Sequence, residues 1–284
     1  MHVTTSSFAQ SAALLCAFAL LSCTASTDET GRAEAASTAQ DAGADASTSL
    51  FAGGAGTEAS PYQVATCAQL QALETAPYSH FVFTADIDCT GFDAGDGHGF
   101  RPIGSDAAEF GGRVNGQGHV ITGLRIARPS QHRVGLFGRT RWAVLKNFGL
   151  VSPTIEGRDD VGALIGWQRW GMVEQVSVRG AAVTGRDRVG ALVGHMHHSK
   201  VYNSYARAEL TCTKWDDFNG GGQSRWNRSC GQLVGTTVHG IVVNSYAAVE
   251  AAPHFGLAGG SAPRTHTAAF YDCDVVAGCT APHV

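Results

Sequence analysis

The chain has 284 residues, 36 of them Gly, with 44% hydrophobic and only 15% charged residues. Glycine stands near twice its usual share of about 7%, yet apolar positions along most of the length exclude a wholly disordered or collagen-like chain. The net charge of −4 belongs to the start: residues 1–50 hold five acids against Arg32 alone, leaving 19 bases and 19 acids in residues 51–284. A neutral body with 3 Lys among its bases lacks the concentrated cation that nucleic acid or an anionic membrane surface requires, so neither is expected as a partner.

In chain order, the first element is the apolar run AALLCAFALL over residues 12–21. A membrane span needs about 20 such residues, so these ten read as an export signal. Leu20-Leu21-Ser22-Cys23 resembles the lipobox of bacterial lipoproteins. That resemblance implies a signal over residues 1–23, cleavage before Cys23 and a lipid on its sulfur. The segment before the apolar run has no Lys or Arg, which keeps an ordinary secretory signal cut near Ala25 as the alternative. Residues 24–50 are rich in Ala, Ser, Thr, Asp and Gly without apolar periodicity, an acidic low-complexity tether.

Six cysteines follow the signal: Cys67, Cys89, Cys212, Cys230, Cys273 and Cys279. An even number fits an oxidising compartment, and six cysteines allow fifteen connectivities. Their sequence-local grouping favours Cys67 with Cys89, Cys212 with Cys230, and Cys273 with Cys279. No C-x-x-C occurs, so a zinc site is the weaker reading.

The body repeats. Segments opening at Val134, Val161, Val189 and Cys230, with a degenerate copy at Phe255, share a G-x-L-V-G pattern at spacings of 27, 28, 41 and 25 residues. The 41 is one unit plus an insertion. Leu145, Val173, Val201 and Val242 fall in one column, Asn147, Gln175, Asn203 and Asn244 in another, and Ile155 faces Val183. Apolar residues alternate with period two between Gly and polar turns, the pattern of strands. A unit this short cannot bury its own apolar face and must stack on the next. The expected fold is all-β: a right-handed parallel β-helix of five to six coils with a short helix-and-strand cap at the N-terminus. Residues 51–133 form the cap and first coils, and 134–284 the repeats with an inserted loop at 212–230. Two glycines recur per unit, Gly135 and Gly138, Gly162 and Gly166, Gly190 and Gly194, Gly231 and Gly235, Gly256 and Gly259; they are expected where the chain bends or takes positive φ.

These repeats resemble the GLUG motif of bacterial surface proteins and of the N-terminal region of IgA-specific metalloendopeptidases. Residues 110–126 (FGGRVNGQGHVITGLRI), 62–73 (YQVATCAQLQAL) and 81–91 (FVFTADIDCTG) resemble the segments that precede such repeats. The resemblance implies the β-helix and a short helix at Cys67–Leu73. It does not extend to the peptidase, because no His-Glu-x-x-His occurs.

Candidate sites are columns of exposed side chains. Trp142, Trp170 and His198 align beside Arg141, Arg169 and His197, and stacked aromatics offer a flat platform for sugar rings; the alternative is a covered seam. The insertion carries Trp215, Asp216, Asp217 and Trp226 and serves either recognition or as a lid. Asp159-Asp160 over Asp187-Arg188, with Arg158 over Arg186, suggests surface ion-pair ladders rather than a catalytic pair. The His195-Met196-His197-His198 run converges at most two imidazoles, and Asp93–His98 lacks the final Glu of a calcium loop, so no metal and no cofactor is expected. The chain is read as a non-catalytic, lipid-anchored envelope or surface protein that binds a glycan or a surface protein. The alternatives are a β-helical carbohydrate-active enzyme and a purely structural envelope protein.

Overall fold

A computed structural model describes residues 50–213, 230–249 and 266–271. Strands dominate. β1 (Tyr62–Val64) leads into α1 (Cys67–Gln71) and a 3-10 turn over Ala72–Thr75. The short strands β2 (His80–Phe83), β3 (Ile87–Asp88), β4 (Arg113–Asn115), β5 (Val120–Thr122) and β6 (Arg125–Ala127) follow. The first repeat holds β7 (Phe137–Arg141), β8 (Val144–Val151) and β9 (Thr154–Glu156). The second holds β10 (Asp159–Gly162), β11 (Ile165–Arg169) and β12 (Met172–Gly185). The third comprises β13 (Asp187–Gly190), β14 (Val193–His197), β15 (Lys200–Tyr202) and β16 (Tyr205–Cys212). The fourth comprises β17 (Cys230–Gly231), β18 (Val234–Val238) and β19 (Ile241–Val249); β20 (His266–Tyr271) pairs with β19.

These strands form three sheets, and every strand pairing is parallel. One runs β10-β13-β17, another β7-β11-β14-β18, and a third, of thirteen strands, contains β8, β12, β15, β16 and β19. Each repeat therefore lends strands to the same three sheets, paired with their counterparts one unit away. The expected columns are register partners: Leu145, Val173, Val201 and Val242 stack, as do Ile155 and Val183. Phe137, Ile165, Val193 and Val234 form a second interior stack, and all eight residues of the two four-membered stacks are fully buried. Stacking is thus what the period-two pattern achieves: removing apolar area from water at about 25 cal/mol per Å², which one unit alone could not do.

The glycines meet the expectation only in part: the chain bends between the two of each unit, at 135–136, 163–164, 191–192 and 232–233. None of Gly135, Gly138, Gly162, Gly166, Gly190, Gly194, Gly231 or Gly235 has positive φ. Seven of them, Gly231 excepted, sit where backbones meet without room for a side chain. A Cβ on Gly166 would lie 2.6 Å from the Val134 nitrogen, and one on Gly235 would lie 2.7 Å from that of Val189. Positive φ is instead taken by residues with side chains. Trp142, Trp170, His198 and His239 have φ of 56, 50, 49 and 54°, and Asn147, Gln175, Asn203 and Asn244 have 60, 53, 48 and 49°. Left-handed backbone costs an L-residue about 1–2 kcal/mol, so each column needs compensation. In the amide column, Asn147 Nδ2 donates to Asn115 Oδ1 (3.1 Å) and Asn244 Nδ2 to Asn203 Oδ1 (3.3 Å). Beside it, the buried Ser204 hydroxyl accepts from the Val176 N–H, and Ser245 from the Ser204 N–H, each at 3.2 Å.

Residues 50–133 are less regular. Thr66 caps α1 by accepting from the Gln69 N–H, while Gln69 Oε1 accepts from the Ala65 N–H (2.8 Å), a reciprocal arrangement close to a capping box. A disulfide joins Cys67 on α1 to Cys89 just past β3, with Cα atoms 5.1 Å apart. A second joins Cys212, the end of β16, to Cys230, the start of β17. Gly53 runs antiparallel to Gln63, so the outer edge of β1 meets a chain of opposite direction. Cys23, Cys273, Cys279, Gly256 and Gly259 lie outside the described residues.

Candidate functional site

The face to consider is the outer side of the sheet β7-β11-β14-β18 with the bend that follows it. Along these strands, alternation sends Thr140, Gln168, Met196 and Thr237 fully inside. It leaves two partly exposed columns outside: Arg139, Trp167, His195 and Thr236, then Arg141, Arg169, His197 and Val238. The next residue in each unit takes the left-handed conformation, which interrupts the alternation and keeps a third side chain on the outside. Trp142 is 59% exposed and Trp170 36%.

The expected column exists, with one member more. Trp142 and Trp170 stack with ring centroids 5.4 Å apart and planes at 19°, Trp170 and His198 at 6.5 Å and 28°, and His198 and His239 at 4.7 Å and 24°. His239 was available to sequence reasoning, because it lies nine residues after Cys230 as His198 lies nine after Val189. The geometry changes what the column can offer. Its rings face one another, so it presents ring edges rather than the flat platform of the expectation. Arg141 lies 4.2 Å from the centroid of Trp142 and 5.3 Å from that of Trp170, and Arg169 lies 4.3 Å from Trp170. Ring pairs contribute about 0.5–1.5 kcal/mol and exposed cation–π contacts about 0.5–1. Together these offset the backbone cost of a left-handed Trp, a conformation unusual for so bulky a side chain. Tyr205 and Tyr246, register partners on β16 and β19, form another stacked pair, 5.1 Å apart, and were not anticipated.

The acid–base column also differs from expectation. Asp159 and Asp187 are register partners, but they and Asp160 are buried, at 4–7% exposure, rather than forming a surface ladder. Charge is tolerated inside only when paired and hydrogen-bonded. Arg186 forks onto Asp159 with contacts of 2.8 and 2.6 Å. Arg188 forks onto Asp160 and also reaches Asp187 at 2.9 Å. His132 Nδ1 lies 3.1 Å from Asp159, and His195 Nδ1 3.3 Å from Asp160. Burial opposes ionisation of Asp160, but hydrogen bonds from His195 and Arg188, with the Arg188 charge, outweigh it and hold its pKa below the ordinary value. Carboxylates so committed are poorly placed to act as a glycosidic acid and base.

The histidine run splits in the same way. Met196 is fully buried, His195 and His197 point outward, and His198 turns onto the aromatic column. Burial, then the neighbours His198, Arg169, His195 and His239, hold the His197 pKa below its usual value. No metal-holding group of His, Cys, Asp and Glu is found among the described residues. The Asp93 loop is a closed turn: its carboxylate accepts from the N–H groups of Gly99 (2.8 Å), Gly97 (3.1 Å) and Gly95 (2.7 Å). Those bonds lower its pKa to about 2. Trp215, Asp216, Asp217 and Trp226 lie outside the described residues.

No family model matches the chain. A stretch of 127 residues, 43% of the chain, is 39% identical to a protein of Evansella cellulosilytica named a Gly-rich membrane protein, of which it covers 15%. A stretch of 123 residues, 40% of the chain, is 39% identical to a protein of Haloquadratum walsbyi named halomucin, of which it covers 1%. The chain thus spans a small part of either relative's length. A crystal structure described as an immunoglobulin A1 protease of Bacteroides ovatus overlays with a TM-score of 0.45 at 15% identity, over 71% of each chain.

Proposed function

We propose that the chain is a non-catalytic, exported protein of the bacterial cell envelope that binds a glycan through the outer face of β7-β11-β14-β18. The observation that carries this reading is the four-membered column Trp142, Trp170, His198 and His239, held at an exposed bend against the backbone cost of doing so. Backbone strain of this kind concentrates at functional positions. The exposed ring edges offer apolar contact to a sugar, and the adjoining guanidinium and imidazole groups offer hydrogen bonds to its hydroxyls.

The parallel pairing of each unit with its neighbour in three sheets supports a right-handed β-helix, and the register of the repeated glycines with Leu and Val supports the GLUG-like reading. Two disulfides and the names of the two relatives support an extracellular or envelope location. In this reading residues 1–23 are a lipoprotein signal, 24–50 a tether, 51–133 the cap and 134–284 the repeats. Palmitate labelling tests the anchor: incorporation should disappear in Cys23→Ser, and incorporation that survives overturns it. A glycan-array screen of the full chain tests the function. The Trp142→Ala/Trp170→Ala variant should lose about tenfold or more in affinity for any glycan bound, about 1.4 kcal/mol; unchanged binding moves the site elsewhere.

A further inference from the structure

We infer that the ligand of this face is an acidic polysaccharide, whose carboxylate or sulfate groups are taken by a row of guanidinium and imidazole groups that the tryptophans hold in place. This rests on the glycan reading above and narrows it. Arg141 and Arg169 are register partners, each with its guanidinium about 4 Å from an indole centroid, at 4.2 and 4.3 Å. A guanidinium engaged through its flat face keeps its in-plane N–H groups free, and those form the fork that matches a carboxylate or sulfate. The tryptophans thus orient the cations, and the cations recognise the ligand.

Two further observations point outward. The first is charge balance. Arg139 is paired with Asp106 and Glu109, but Arg141 reaches Glu109 only at 3.8 Å, and Arg169 has no carboxylate partner among the described residues. In a body of equal acids and bases, cations left unneutralised in one column are a local feature. The second is unmet hydrogen bonding. Of eleven shielded side-chain atoms without a partner among the described residues, five, Arg141 Nε, Trp167 Nε1, His195 Nε2, His197 Nδ1 and Thr236 Oγ1, belong to the two outward columns of this one sheet, and four more, on Thr140, Gln168 and Thr237, lie on its inner side. Such atoms are rare in folded proteins and ask for an explanation; a ligand rich in oxygen acceptors and hydroxyls supplies it for the five outward ones.

The same geometry disfavours nucleic acid. Single-stranded binding relies on free aromatic faces for bases to stack on, and here the ring faces are turned to one another and to the arginines. A uronate or sulfated polymer needs cations along its length and no deep stacking, and Arg141 and Arg169 supply them in two successive units, with His197 in the third. The groups that act on His197 are Arg169 on β11, His195 and His198 in its own unit and His239 in the next, and the carboxylates of this face are engaged elsewhere, Glu109 with Arg139 and Asp160 with Arg188 and His195. Burial first, and then these neighbours, hold its pKa below the usual value. A bound anion opposes that shift, so binding takes up protons, and affinity should rise as pH falls through the imidazole range near about 6.5.

The test measures binding of the full chain to polygalacturonate, heparin, uncharged dextran and a single-stranded oligonucleotide, at low and high salt. The acidic polysaccharides should bind about tenfold or more tightly than dextran, more weakly in high salt, and more tightly at pH 5.5 than at 7.5, taking pH values about one unit either side of the imidazole pKa. Arg141→Gln/Arg169→Gln should abolish the preference, Arg141→Lys/Arg169→Lys should retain part of it, and circular dichroism and melting should confirm that both variants fold. Dextran bound as tightly as the acidic polymers, or wild-type binding by the Gln variant, overturns this inference and leaves the glycan reading standing. Preference for the oligonucleotide overturns it by partner class. Failure of every polysaccharide to bind removes both readings.

Discussion

In residues 50–133 one interior column is built of large rings: Phe51, Phe81, Phe110 and Phe137 of the first repeat follow one another at centroid distances of 5.6, 6.1 and 4.9 Å. In residues 134–249 the same axis is filled by Ile, Leu and Val at matched register. The first region ends the stack, so its inner face has a neighbour on one side only, and bulky residues close the space that a further unit would occupy. The second region has neighbours on both sides and needs side chains that repeat without interference. Their surfaces differ correspondingly: the first is tied by the Arg101–Glu74, Arg128–Asp96 and Arg133–Asp106 pairs and one disulfide, whereas the second holds its register through amide, serine and aromatic columns. A repeat is cheap to lengthen and hard to end, and the cap is where the chain departs from its pattern.

Removing a ring from the closed end should have the largest effect. Phe110→Ala is expected to lose about 3–5 kcal/mol in denaturant unfolding, and hydrogen exchange should accelerate most in the first repeat and least in the fourth. Uniform acceleration would mean that cap and repeats are one cooperative unit. Opening the cap disulfide with Cys67→Ser/Cys89→Ser should cost about 2–5 kcal/mol, again read by unfolding. Glycine substitution separates the regions by mechanism. Gly166→Ala drives a methyl into the backbone of the preceding unit and should cost about 1–3 kcal/mol or more. Gly97→Ala in the cap, which meets nothing within 4 Å at φ +77°, should cost only the backbone term of about 1–2. Ser245→Ala should cost about 1–3 kcal/mol, by leaving the buried Ser204 N–H without an acceptor.

Acid should give the smallest and most local effect. Folding lowers the pKa of Asp93, through the Gly99, Gly97 and Gly95 N–H groups, to about 2. It also lowers that of Asp160. A depressed carboxylate pKa adds stability that is complete above its unfolded value near about 4 and is lost as pH falls through the folded value. Exchange of the Gly97 and Gly99 amides should therefore speed up between about pH 4 and pH 2, beyond the intrinsic trend. No change there would remove the Asp93 turn as a stabilising element.

The repeat columns were legible because two independent regularities, period two within a strand and 27–28 residues between units, point to the same residues. Leu145, Val173, Val201 and Val242 needed no structure. Much of the site was legible for the same reason, since Trp142, Trp170 and His198 share a column. Their ring orientation was not, because it follows from a left-handed backbone that sequence reasoning assigns to glycine before tryptophan. The glycines were legible as markers of a bend but not as points of contact, because close approach between two backbones leaves no trace in the local sequence. Asp159, Asp160 and Asp187 looked like surface residues because charges usually are, and what buries them, Arg186 and Arg188, is brought there by the stacking itself. The cap pairings lay beyond reach because strands of two to four residues carry too little pattern.

On the proposed reading, the register of the outer columns would bear on strength of attachment. Because each unit contributes one side chain to each column at a fixed offset, a gene that gained or lost a 28-residue unit would change the number of contact positions on a polymeric ligand by one, leaving the remaining positions in register. Avidity for a long chain would then vary in whole steps, each multiplying the residence time, and tuning it would require no new contact to be invented.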